Sequence, residues 1–359
     1  MSPRRPTKPN RHHKIKRTRI GITRINSCND PPSLGGEARR EGLTTSFFIF
    51  VPSLAILNRT PAVDTHPRFH SNRITVNTPH IQLVAADLDG TLLDDHKQID
   101  PATVRAIAAL PQHGVQFIIA SARPPRSVRH IYQQLALTTW QINYNGALIW
   151  DQPTQHAVFH RPLHGPLVLE MIQLARAIDP RVLITCEILD RWHTDRIDNT
   201  YTTETGRLFK PDVVAPADTY CAGDVTKLLL LGPPNVIQQI EWPLRRQFSL
   251  KAAIIRTDAN LIQIMHREVN KAVALRFIAD HYGIPMERIL AIGDAANDLE
   301  MIQAAGVGVA VANSPPQLLQ HANWIAPSNN HQGVLAALHR YVLPTDWDSS
   351  PCSLTPTGG

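Results

Sequence analysis

Ile81-Gln-Leu-Val-Ala-Ala-Asp-Leu-Asp-Gly-Thr91 is the stretch that decides the fold. Its first six residues form an apolar run too short for a helix, and suited to a strand buried on both faces of a parallel sheet. The run stops at Asp87 and Asp89, with Gly90 and Thr91 directly behind. In parallel α/β sheets ligands sit beyond the carboxyl ends of the strands, so these two carboxylates stand at the functional edge. Alternation along an extended strand would turn both the same way. One carboxylate can then attack phosphorus while the other handles the leaving group's proton. Gly90 allows a tight turn and a close backbone approach to a phosphate. Asp-x-Asp by itself reads more readily as an ordinary acidic loop, and the Asp-Gly-Thr continuation is what reverses that in favour of chemistry.

Outward from this stretch, strands and helices alternate. Asp100 and Pro101 supply an N-cap and an N1 proline for a helix that Pro111 ends or kinks. Residues 115–120 form a second buried strand, 125–135 a helix and 142–144 a third strand. Near the C-terminus the same rhythm returns. A helix is expected over 271–282 with Gly283 as its C′ residue. Strands follow over 289–292, 307–311 and 324–325, with helices over 298–305, after Ser314-Pro315, and over 334–341. Such alternation implies an α/β fold built on a Rossmann-like parallel sheet. The core is expected to comprise 79–147 and 259–343, with 148–258 inserted between them as an α+β cap domain. Within that insert Asp190, Arg191, Trp192, His193 and Asp195 read as a polar loop more readily than as a pocket lining. Residues 344–359 read as a loose polar tail.

Residues 1–78 lack core-forming periodicity and read as a disordered tail. Residues 1–75 hold 14 Lys/Arg against 4 Asp/Glu, while the chain as a whole carries +6, so everything after them is mildly acidic. A targeting peptide fits the Arg-rich composition but lacks an apolar h-region. The favoured reading is a non-native leader, with translation starting at Val76. No run of about 18 apolar residues occurs, so a membrane span is not expected. Four scattered cysteines, without a Cys-x-x-Cys pair, fit a reducing, cytoplasmic location. Nucleic acid is not an expected partner of the folded part. The oligomeric state is not legible.

Gly293-Asp-Ala-Ala-Asn-Asp298 follows a second apolar strand and brings Asp294 and Asp298 to the same edge. Such a carboxylate cluster repels itself unless a cation neutralises it, and hard oxygen ligands point to Mg²⁺. Ser121 ends the 115–120 strand, where its hydroxyl could bond a phosphoryl oxygen or cap the next helix. Lys271 opens a helix, where a cation opposes the macrodipole unless an anion sits beside it.

In this order, the residues resemble the haloacid dehalogenase superfamily, in particular its Cof-like phosphatase branch with a C2-type cap. Asp87-Leu-Asp-Gly-Thr-Leu-Leu93 is similar to its first motif. Ile119-Ala-Ser-Ala-Arg-Pro124 is similar to its second, with Ala122 where glycine is usual. Asn145-Gly-Ala147, Asn270-Lys271 and Gly293–Asp298 complete the set. The resemblance implies a Mg²⁺-dependent phosphatase acting on a small phosphorylated metabolite through an aspartyl-phosphate. Asp87 would be the nucleophile and Asp89 the general acid/base. Ser121, Lys271, Asn297, Gly90 and Arg123 would face the phosphoryl group or the substrate. Asp87, the backbone carbonyl of Asp89, Asp294 and Asp298 would hold the metal. An acid at the second position favours phosphoryl over halide chemistry, since a halide leaves without a proton. A phosphomutase of the same superfamily is the alternative enzyme, and a catalytically silent binding protein with a nucleic-acid-binding tail the alternative outside enzymes.

Overall fold

The structure, a computed structural model, describes residues 80–201, 203–344 and 347. The expectations for residues 1–78 lie outside them. The chain opens with β1 Leu83–Ala86, α1 Pro101–Ala109, β2 Gln116–Ile119, α2 Pro125–Gln134, β3 Gln141–Asn143, β4 Leu148–Asp151 and β5 His156–His160. The middle holds α3 Gly165–Ile178, β6 Leu183–Ile188, β7 Arg191–Thr194, α4 Glu204–Leu208, β8 Val213–Val214, α5 Ala217–Tyr220, β9 Lys227–Leu231, α6 Pro234–Phe248, β10 Ala252–Asp258 and β11 Leu261–His266. The chain closes with α7 Lys271–Tyr282, β12 Ile289–Gly293, α8 Leu299–Ala304, β13 Val307–Val311, α9 Pro316–Leu319, β14 Trp324–Ala326 and α10 Gly333–Tyr341.

A five-stranded sheet in the order β14-β13-β12-β1-β2 forms the core, and every neighbouring pair in it is parallel. Alternation sorts its side chains between two layers. Val84, Phe117, Ile119, Leu290 and Ile292 pack with Ile107, Val128, Ile131, Leu335 and Leu338. Leu83, Ala85, Ile118, Ile289 and Ala291 pack with Ala274, Leu275, Ile278 and Met301. Each large apolar side chain fully buried contributes about 1.5–3 kcal/mol. Two such layers hold the sheet whatever repulsion the acidic groups at its edge impose. Asp100 caps α1 as its sequence suggests, its Oδ1 accepting from Ala102 N at 2.9 Å and Thr103 N at 3.2 Å.

The third strand departs from expectation. β3 touches the parallel sheet through a single bridge, Ala120 to Ile142, and pairs instead with β4, which pairs with β5, both antiparallel. Ile149, Val158 and Phe159 pack on the core layer beneath α7. Beyond them, a six-stranded sheet in the order β10-β11-β9-β6-β7-β8 carries α3 and α6 on one face. It includes Leu261–His266, past the edge expected at 258. The two connections joining it to the core are tied by an Arg161–Glu268 ion pair. Asp190–Asp195, expected as a polar loop, supplies β7, because Arg191–Thr194 pairs antiparallel with β6. Of the expected loose tail, Trp347 packs against the core.

Candidate active site

β1, β2 and β12 pair in register, with Ala86 opposite both Ile119 and Ile292, so all three end at one edge. Asp87 leaves β1 there with its backbone N–H bonded to Ile292 O at 3.0 Å. Ser121 follows β2, and Asp294 follows β12. Lys271 opens α7 directly below. Its Nζ donates to Asp87 Oδ1 and to Asp298 Oδ1, each at 2.6 Å. Both Lys271 and Asp298 are 0% exposed. Burial alone would lower the Lys271 pKa, but the Asp87 and Asp298 carboxylates outweigh it and push it up. Asp87 is pushed up to about 8, chiefly by burial, with Asp298 and Asp294 adding to the shift against the pull of Lys271. A carboxylate so disfavoured as an anion needs another positive charge nearby.

The donor set fits such a charge. Asp87, Asp294 and Asp298 each offer an oxygen, all within 4.8 Å of one another. They are hard ligands of the kind Mg²⁺ takes. Asp294 is oriented by Thr91 Oγ1, which donates to its Oδ1 at 2.8 Å, and its pKa too is raised, first by burial. Asp298 is more fully engaged. Its Oδ1 takes Lys271, while its Oδ2 accepts from Asp294 N at 3.1 Å and Ala295 N at 3.0 Å. Gly90 sits at φ +78°, and a Cβ there would lie 2.4 Å from Asp294 Oδ2. Only glycine lets the turn lie this close to the acidic cluster.

Asp89 lies beyond the end of β1. The strand ends at Ala86, and Thr91, Leu92 and Leu93 all donate backbone N–H to Leu88 O. With the chain turning here, period-two alternation no longer applies. Asp89 has its own cations. Arg123 Nε and Nη2 reach its two oxygens at 2.6 and 2.5 Å, and Lys97 Nζ reaches Oδ1 at 2.7 Å. Burial opposes these bonds but loses to them, so its pKa is lowered. Arg123, expected near the substrate, is thus found on Asp89.

Ser121 is buried, and its Oγ accepts from Arg123 N at 3.1 Å. Asn297 Nδ2 donates to Asn145 Oδ1 at 2.9 Å, and Asn145 N donates to Ser121 O at 3.1 Å. The Tyr144–Gly146 turn therefore links the β2 and β12 edges. Gly146, at φ +101°, lies so close to Asn270 that a Cβ would sit 2.3 Å from Asn270 O. Asn270 in turn caps α7, accepting from Val273 N at 2.8 Å. One turn thereby fixes the helix start that presents Lys271. Sequence reasoning missed Lys97, which lies in an irregular loop and carries no motif. It also missed the seam between cap and core. There Arg126 Nη2 donates to Glu187 Oε1 and Oε2 at 2.7 and 2.8 Å, and Tyr144 Oη donates to Glu187 Oε2 at 3.2 Å. Pairs so far apart in sequence leave no local pattern to find.

Residues 84–338 match the family model of the haloacid dehalogenase-like hydrolases. The chain belongs to this family, in its Cof-like branch. It is 32% identical over 269 residues to the 5-amino-6-(5-phospho-D-ribitylamino)uracil phosphatase YitU of Bacillus subtilis, spanning 72% of this chain and 97% of that one. It is 29% identical over 238 residues to the HMP-PP phosphatase of Cronobacter sakazakii, spanning 66% and 86%. A haloacid dehalogenase-like hydrolase from Bacteroides thetaiotaomicron has the same fold, with a TM-score of 0.66 at 24% identity over 72% of this chain and 99% of that one. No described helix is long and apolar enough to cross a membrane.

Proposed function

We propose that this hydrolase is a Mg²⁺-dependent phosphatase that cleaves a small phosphorylated metabolite through an aspartyl-phosphate on Asp87. As an enzyme it is a phosphoric monoester hydrolase. The observation that carries the reading is the buried Asp87, held by Lys271 and facing Asp294 and Asp298 at the end of β1. The names of its relatives support a small phosphorylated substrate.

In the first half-reaction an Asp87 oxygen attacks phosphorus, and the bond from phosphorus to the leaving oxygen breaks. Asp89 gives that oxygen a proton. In the second half, Asp89 takes a proton from water as the water attacks phosphorus and the bond to Asp87 breaks. Lys271 offsets charge on the phosphoryl group in both. Ser121 and Asn297 position the phosphoryl oxygens, and the Gly90 turn leaves the backbone room to approach them. Clamped by Arg123 and Lys97, Asp89 is suited to the base half. The acid half requires the substrate's anionic oxygens to compete for those two cations. Asp87, Asp294, the Asp89 carbonyl and Asp298 would hold Mg²⁺, with both Asp298 oxygens already engaged favouring contact through water. Bound there, Mg²⁺ would relieve the repulsion among these carboxylates and polarise the phosphoryl group.

The test is inorganic phosphate release from a panel of phosphomonoesters. Release should stop with EDTA and return with added Mg²⁺. Undiminished release after exhaustive chelation would overturn the metal assignment, and no release from any ester would overturn the phosphatase reading.

A further inference from the structure

Between β1 and α1 the chain makes a turn that is fastened from two sides. Asp94 Oδ1 accepts from His96 N at 2.9 Å and from Gln98 N at 2.8 Å, and Asp94 N donates to Gln98 O at 2.9 Å. Asp95 is held from the segment after β14. Asn329 Nδ2 donates to its Oδ1 at 3.1 Å and Asn330 Nδ2 to its Oδ2 at 2.9 Å, while Asp95 N donates to Asn330 Oδ1 at 3.0 Å. Lys97 sits in this turn at φ +61°, a left-handed conformation that a residue with a Cβ rarely adopts. Such an outlier persists where its surroundings over-determine it, and it raises the question of what the side chain reaches.

Lys97 Nζ reaches Asp89 Oδ1 at 2.7 Å. Arg123 Nη2 takes the same oxygen at 2.5 Å, and Asp89 Oδ2 accepts from Arg123 Nε at 2.6 Å. A carboxylate oxygen offers two lone pairs. Oδ1 therefore has both engaged, while among the described residues Oδ2 has one engaged and one left. The Asp89 side chain is 35% exposed, so water reaches it. With Arg123 alone, each oxygen would accept one bond and the two would be equivalent. Lys97 is what makes them differ.

We propose that Lys97 is a positioning residue for the second half-reaction: by occupying Oδ1 of Asp89 it reserves Oδ2 for the proton of the attacking water. The water oxygen bonds to phosphorus as the bond from phosphorus to Asp87 breaks. The electron pair of that bond returns to the Asp87 carboxylate, and the water's proton goes to Asp89 Oδ2. Lys97 itself gives up no proton. This rests on the phosphatase reading and goes beyond it in naming the oxygen of Asp89 that takes the proton and the side chain that selects it.

The experiment uses the full chain with Mg²⁺ and p-nitrophenyl phosphate, whose leaving group departs without a proton, so that the second half limits turnover. Lys97→Met and Lys97→Gly both delete the ammonium, and glycine also adopts the left-handed backbone freely. Each should lower kcat about tenfold while kcat/KM, which reports only the steps through formation of the aspartyl-phosphate, stays unchanged. Acid-quenched samples should show the phosphorylated enzyme accumulating in both variants beyond wild type. Lys97→Arg should restore most of the kcat. A fall in kcat/KM equal to the fall in kcat would assign Lys97 to the first half or to the fold, and overturn the proposal. An unchanged kcat in Lys97→Gly would overturn it too, as would a raised KM at unchanged kcat, which marks a substrate-binding residue. The phosphatase reading is tested separately, on wild type alone. Turnover without phosphate on the protein at any quench time would sink the aspartyl-phosphate and take the proposal with it.

Discussion

Lys271 in the core and Lys227 in the cap are both buried lysines, and the protein treats them oppositely. Lys271 lies between two carboxylates at 2.6 Å, and its pKa is raised. Lys227 is brought down to about 8, chiefly by burial, with Glu187 opposing and Arg126 adding to the shift. Burial is common to both, so partners decide the sign. The core edge pairs Lys271 with two of three clustered carboxylates. In the cap, Lys227 lies by the ring of Tyr144 and opposite Glu187, whose carboxylate is already held by Arg126.

The largest expected effect tests the core side of this contrast. Asp87→Asn removes the proposed nucleophile at constant volume, so kcat should fall about a thousandfold or more. Steady-state kinetics check this, with the circular dichroism spectrum unchanged. Retention of a tenth of the activity would break the assignment.

Next comes a paired stability measurement. Lys271→Met leaves Asp87 and Asp298 buried without their shared cation, and should cost about 3–5 kcal/mol in denaturant unfolding without metal. Lys227→Met removes an ammonium that burial disfavours and should leave the protein as stable or more so at pH 7. Similar losses in both variants would erase the comparison.

Gly90→Ala should weaken Mg²⁺ affinity about tenfold or more, because the added Cβ displaces Asp294. Titration calorimetry reads this directly, and unchanged affinity would separate Asp294 from the metal.

The smallest effect concerns pH. Lys227 titrates near 8 in the folded chain against an ordinary value of 10.5. Between those values the unfolded chain holds a proton the folded chain lacks, so this residue makes stability rise with pH there. The stability advantage of Lys227→Met should be greatest below about pH 8 and shrink towards pH 10. Melting curves across that range check it, and a constant difference would show that Lys227 keeps its ordinary pKa.

The sequence by itself determined the parallel core and most of the catalytic candidates. Ile81–Ala86 and Ile289–Ile292 are continuous apolar runs with carboxylates at their ends, and a strand-end position is a local property of the chain. Asp100, Pro101 and Gly283 likewise mark helix ends through their own backbone and side-chain chemistry. Only the tertiary structure decided which charges pair. Lys271 reaches Asp87 across 184 residues, and Arg123 reaches Asp89 across 34. Neither separation has a period that a linear pattern records. Only the fold made Arg191–Thr194 a strand, because pairing with β6 overrode a polar composition. The same holds for Lys227, whose sequence context is a plain apolar strand. Its lowered pKa follows from burial, a property that exists only once β6, β9 and the Tyr144 turn have come together.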